Sequence, residues 1–123
     1  MKHRAAPAET FVMLYHEELE ILFSATARRD IKPMDTLYLM AVISRLNWRS
    51  GKAEVTSEEI GELLGTDARV VRSSFSRLRK HNLLAYMKEG TSYFYSVHPS
   101  LMRAGRSDCR DLTIARWKRE GLL

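Results

Sequence analysis

The sequence holds a single cysteine, Cys109, which excludes an internal disulfide and leaves no thiolate cluster for zinc. No apolar run approaches the roughly 18 residues that a membrane span requires. The opening stretch MKHRAAPAET lacks the apolar centre of a secretory signal, so the expected compartment is the cytoplasm. There is no internal repeat, no low-complexity tract and no linker long enough to separate domains. Phosphate-binding glycine loops are missing too, since Gly61 and Gly65 bracket one short segment and fit neither fingerprint. His3, His16, His81 and His98 are scattered without metal-ligand spacing and read as surface or packing histidines. With no Gly-x-Ser-x-Gly and no carboxylate pair in an apolar frame, these absences argue against an enzyme. No metal, cofactor or small-molecule effector is expected.

What the chain does have is charge, and the charge is segregated. The formal balance is +5 over 123 residues with a pI of about 9.6, which suits a polyanionic partner. Four glutamates fall within positions 9–20 and four more within 54–62, whereas positions 67–80 carry Arg69, Arg72, Arg77, Arg79 and Lys80 against Asp67 alone. Arg103, Arg106, Arg110, Arg116, Lys118 and Arg119 form a second cluster, diluted by Asp108, Asp111 and Glu120. An apolar fraction of 45% in a chain of this length closes one ordinary core, with room for a helical extension at each end.

Local patterns give the elements. Residues 1–8 read as frayed, TFVMLY as a strand leading into a helix at HEELEILFSA, and RRDIK as a loop. Pro33 opens the next helix, where its missing N–H costs nothing, and Asp35 suits the helix dipole. From Pro33 to about Arg49, a stripe of Leu37, Met40, Ala41, Ser44 and Trp48 is expected to face the core. AEVT reads as a brief extended segment. Thr56 or Ser57 caps a short helix ending at Leu64, with Glu59 completing a capping box on Thr56. Ile60, Leu63 and Leu64 form its expected buried edge, and Gly65 is placed to take positive φ at its end.

Asp67 then caps a longer helix, accepting from the amide of Arg69 or Val70. Val71, Phe75 and Leu78 sit at i, i+4 and i+7 and point to the core, turning Arg69, Arg72, Ser73, Ser76 and Arg79 outward. So short a connection between the two helices is the helix-turn-helix arrangement. LLAYMK and TSYFYSV flank Glu89-Gly90 as a β-hairpin, closed by His98-Pro99. Tyr86, Tyr93 and Tyr95 lack the metal-ligating histidines that a nicking tyrosine needs and read as cross-strand packing. SDCRDLTIARWKRE is a terminal helix capped at Ser107 or Asp108 and bearing Leu112, Ala115 and Trp117. Trp48 and Trp117 read as core or interface anchors.

The fold class is therefore mainly α with a small β-hairpin, and the element order over residues 33–98 resembles the winged helix-turn-helix. An N-terminal extension, 1–32, of strand plus helix precedes that module and a C-terminal helical extension, 99–123, follows it. The resemblance implies a DNA-binding protein in which Asp67, Ala68, Arg69, Arg72 and Ser73 face base edges, Arg69 or Arg72 being able to grip guanine bidentately, with Thr66 also among the DNA-binding residues. Ser76, Arg77, Arg79 and Lys80 would meet phosphates, and Lys88, Thr91 and Ser92 would contact DNA from the hairpin. A solvated helix face on a protein-binding module is the bland alternative.

FVMLYHEELEIL before the module and YFYSVHPSLMRAGR after it are similar to the RepL-type replication initiators of plasmids and phages. In that family a tyrosine-containing strand, an Asn-Pro turn and a glycine-containing basic segment follow the winged helix. Here His98 stands in place of the asparagine, and the family's glycine pair is absent. The likeness implies replication initiation or regulation of a mobile element on double-stranded DNA, while a transcription repressor or activator would carry the same module. The two amphipathic extensions either enlarge the core or pack against a second copy, and a homodimer is expected.

Overall fold

The structure, a computed structural model, describes residues 12–14, 16–47, 49–104 and 107–123. Expectations for residues 1–11, Tyr15, Trp48, Gly105 and Arg106 lie outside them. The described residues are mainly helical, with five helices and two small antiparallel sheets. None of these helices is long and apolar enough to cross a membrane.

The chain enters as β1 (Val12–Leu14) and α1 (His16–Ala27). The end of α1 is closed by Arg29, at φ 65°, through Arg29 N–H to the Thr26 carbonyl and Asp30 N–H to the Ala25 carbonyl. This is the C-terminal motif that usually employs glycine. Helix α2 runs Pro33–Ile43 and is shorter than its apolar run suggests. Ser44 and Arg45 make a turn, and the Asn47 side chain accepts from the amides of Arg49 (2.8 Å) and Ser50 (3.1 Å), which redirects the backbone.

The buried face of α2 also differs from the expected stripe. Asp35, Tyr38, Leu39, Ala41, Val42 and Ile43 are buried, while Leu37 (45% exposed), Met40 (43%) and Ser44 face solvent. In PMDTLYLMAVI nearly every position is apolar, so periodicity carries no direction. A contact far along the chain chooses the face: buried Asp35 binds Ser74 and Arg77.

Helix α3 (Ser57–Leu64) begins with the expected capping box, Thr56 Oγ1 accepting from Glu59 N–H and the Glu59 carboxylate accepting from Thr56 N–H (2.9 Å). Ile60 is buried and Leu64 packs partly against the core, but Leu63 faces solvent. Gly61 lies inside α3, and a Cβ there would stand 2.5 Å from the Thr66 carbonyl oxygen. Gly65 closes the helix at φ 65°, ψ 37°. Helix α4 (Ala68–Lys80) follows at once, with Asp67 Oδ1 accepting from Arg69 N–H at 2.8 Å. Its end turns through Asn82 at φ 58°, with Leu83 N–H bonded to the Leu78 carbonyl.

Strands β2 (Leu84–Glu89) and β3 (Ser92–Val97) pair antiparallel from Leu84↔Val97 to Glu89↔Ser92, joined through Gly90 and Thr91. Ala53 bridges Tyr95 on the far edge. One side of the hairpin, with Leu84, Tyr95 and Val97, joins the main core of Leu22, Ala25, Ile31, Leu39, Val42, Ile60, Val71, Phe75 and Leu78. The other side, with Ala85, Met87 and Phe94, packs on Trp117.

Both extensions thus belong to one body. Strand β4 (Met102–Ala104), unforeseen in the sequence, pairs antiparallel with β1 in the register Val12↔Ala104. Helix α5 runs Ser107–Arg119, so Ser107 and Asp108, expected as its cap, fall within the helix. Of its expected apolar face only Trp117 is buried, its Nε1–H donating to Ser96 Oγ at 2.9 Å. Leu112 and Ala115 are exposed, and Thr113 and Arg116 take the inner positions.

Candidate nucleic-acid interface

Helix α4 divides into two faces. Val71, Ser74, Phe75 and Leu78 are buried against α2, α3 and the hairpin. Arg69, Arg72, Ser73, Ser76, Arg79 and Lys80 are exposed on the other side, as their spacing predicts. Asp67 is exposed at the helix start, and Thr66 and Ala68 are half-buried, the Thr66 hydroxyl donating to the Leu64 carbonyl at 3.3 Å. Helix α3 braces this start. The tight approach of Gly61 to the Thr66 carbonyl leaves the first turn of α4 little freedom to shift.

The exposed cations differ in their neighbours. Arg72 Nη1 reaches Glu58 Oε2 of α3 at 3.3 Å, and Arg69 Nε lies 3.6 Å from its own cap, Asp67. Both pairs are more than half exposed, a setting in which ion pairs are worth about 0–1 kcal/mol and a stronger anion displaces them easily. Among the described residues Arg79 and Lys80 engage in no ion pair.

Arg77 departs from the phosphate-contact expectation. Its side chain turns inward between α4 and α2, Nε donating to Asp35 Oδ2 and Nη2 to Asp35 Oδ1, both at 2.9 Å. The fully buried Asp35 also accepts from the Ser74 hydroxyl (2.6 Å) and from Lys32 N–H (2.8 Å). Burial pushes the Asp35 carboxyl up, but the hydrogen bonds from Arg77, Ser74 and Lys32 outweigh it and hold the group below its ordinary value of 3.8. The Arg77 guanidinium is raised in turn, chiefly by its bond to Asp35. Arg77 is thus a strut that sets α4 on α2, and a bidentate guanidinium fits this better than an ammonium.

On the hairpin, Lys88 and Thr91 are exposed and Ser92 is half-buried. Lys88 Nζ lies over the Tyr93 ring, 5.4 Å from its centroid. The hairpin is anchored from behind by Glu89, whose carboxylate meets Lys52 (3.1 Å), Arg116 (2.9 Å) and Arg119 (3.6 Å). Arg116 first and Lys52 second draw the Glu89 pKa from 4.5 down to about 2. Arg116 also donates to the Ser50 carbonyl at 2.6 Å, so α5 ties the hairpin to the loop after α2.

Sequence reasoning missed Asp35 as the partner of Arg77, Glu58 as the partner of Arg72, and the outward rings of Tyr86 and Tyr93. Asn82 could have been found, because asparagine after a basic helix end is a common left-handed stop. Among the described residues no group of three or more His, Cys, Asp or Glu side chains is placed to hold a metal ion. The sequence matches no protein-family model and no curated protein.

Proposed function

We propose that this chain binds double-stranded DNA sequence-specifically through a winged helix. In this reading α3 and α4 form the helix-turn-helix, α4 enters the major groove, and the hairpin β2–β3 is the wing. One observation carries it: α4 buries one face completely and offers Arg69, Arg72, Ser73, Ser76, Arg79 and Lys80 on the other, with acidic α3 set behind it. Arg69, Arg72 and Ser73, in the first turns, supply base contacts, and Arg79 and Lys80 supply phosphate contacts. The likeness to RepL-type initiators favours replication or regulation of a mobile element in the cytoplasm, and a transcription regulator would use the same surface. A homodimer suits the exposed Met34, Leu37 and Met40, which line the side of α2 opposite its buried face.

The test is selection of bound duplexes from a random pool, followed by affinities on single-base variants of the selected site. About five to eight phosphate contacts predict a log–log salt slope of roughly −5 to −7. Arg72→Ala should cost about 1–3 kcal/mol on the selected site and relax choice at one base position. Lys88→Ala should weaken all duplexes alike and flatten the slope by about one. A flat salt response, or equal loss on every variant with Arg72→Ala, refutes base reading by α4.

A further inference from the structure

We propose a second nucleic-acid site beside the exposed face of α4, a cleft that takes a single-stranded DNA segment with one base stacked against Tyr86. The proposal rests on the reading that α4 faces DNA. The cleft has a volume of about 450 Å³ and is walled by Ser76, Arg79 and Lys80 of α4, Asn82, Tyr86 of β2, and Glu120 beyond α5. Its size is that of a small-molecule site, about 300–1,000 Å³, and exceeds what a lone phosphate fills.

Three features give it a ligand class. Arg79 and Lys80 are exposed cations with no ion pair among the described residues, suited to successive phosphates. Tyr86 is 47% exposed and Tyr93 is 53% exposed, and the two rings stack at 5.9 Å with 15° between their planes. Tyr95, directly across from Tyr86, is buried against Phe75 and lies 4.7 Å from the Tyr86 ring, so the core side of the hairpin holds the outer rings in place. From Arg79 to Lys88, the two rings of Tyr86 and Tyr93 stand between cations on one surface. The Glu120 carboxylate that lines the cleft pairs with Arg119 at 3.5 Å.

In a duplex both faces of each base are covered by neighbours, so an exposed tyrosine finds base edges and backbone but no free π-face. A single strand offers a π-face at every nucleotide, and a basic groove lined with aromatic rings is the usual way to hold it. Arg79 lies ten residues after Arg69, about 15 Å along α4. A strand that leaves the groove read by the first turns of α4 therefore meets the cleft within a few nucleotides.

The experiment is fluorescence anisotropy with a labelled oligothymidine on the order of a dozen nucleotides long, and in parallel with the duplex selected above. The wild-type chain binds both. Tyr86→Leu, which keeps an apolar side chain on the strand, weakens oligothymidine by roughly five- to a hundredfold and the duplex by less than about twofold, whereas Tyr86→Phe retains both. Arg72→Ala does the reverse, losing the duplex and keeping the single strand. Thermal melting of each variant confirms that it is folded. The proposal is overturned if oligothymidine does not bind at low salt, or if Tyr86→Leu changes neither ligand while Arg79→Ala weakens both, the signature of a phosphate patch alone. Loss of duplex binding in the wild-type chain with single-strand binding intact would instead overturn the winged-helix reading.

Discussion

Replacing Asp35 by alanine should destabilise the protein more than any change on the exposed face of α4. The carboxylate is fully buried and accepts four hydrogen bonds, two from Arg77, one from Ser74 and one from Lys32 N–H. Its removal strands a guanidinium that is only 31% exposed, a buried hydroxyl and an uncapped helix amide. Breaking a buried pair from one side costs about 3–5 kcal/mol, which for a domain of this size lowers the melting temperature by roughly 10–20 °C. Arg77→Ala should cost a comparable amount, since it leaves the carboxylate buried with weaker partners. The double change Asp35→Leu with Arg77→Met should recover much of the loss, because no charge is left uncompensated. The pair also acts on pH dependence: with its pKa held below the ordinary 3.8, Asp35 contributes stability above that value and loses it as pH falls through its folded value. Differential scanning fluorimetry of the four proteins provides the readout. An Asp35→Ala variant melting within about 2 °C of its parent would refute the strut. Under the proposed DNA binding, Arg77→Ala, assayed where it is folded, should leave the salt slope unchanged, whereas Arg79→Ala should flatten it by about one.

Gly61→Ala should cost about 1–3 kcal/mol in urea unfolding, because its Cβ would meet a backbone carbonyl 2.5 Å away; an unchanged midpoint would show that α3 and the turn can separate freely. Gly65→Val should cost about 1 kcal/mol or more for a different reason, its φ of 65°, and Gly65→Asn should cost less than valine although nothing crowds the position; equal losses would refute backbone strain as the cause. For Glu89, whose pKa lies at about 2 against 4.5, the stabilisation is complete above about pH 4.5 and fades as pH falls towards 2. The unfolding midpoints of wild type and Glu89→Gln should therefore converge over that window, and a gap that stays constant would show that the ion cluster contributes nothing.

The sequence reveals those regions of the fold that are written in local chemistry. Thr56 with Glu59, Gly65 and Asp67 announce α3, the turn and α4 because each completes its bonding within a few residues. The two faces of α4 are legible for a related reason, a strong contrast between Val71, Phe75 and Leu78 and the arginines between them. Helix α2 has no such contrast, and its orientation depends on Ser74 and Arg77, about forty residues away. Arg77 itself is indistinguishable in sequence from Arg69, Arg72 and Arg79; only the partner supplied by α2 separates strut from surface. The pairing of β1 with β4 escaped because three-residue strands carry no alternation to read, and their contact spans most of the chain.

That pairing makes the two arms a single latch. Val12–Leu14 and Met102–Ala104 satisfy each other's backbone groups, so neither arm can be trimmed without orphaning the other. Excising residues 33–98 as a minimal module would also uncover the core where Leu22, Ala25, Ile31, Leu101 and Trp117 now pack. A shortened chain that keeps this joint must therefore span both strands, from Val12 to Ala104, and reach Trp117 to keep the far side of the hairpin covered.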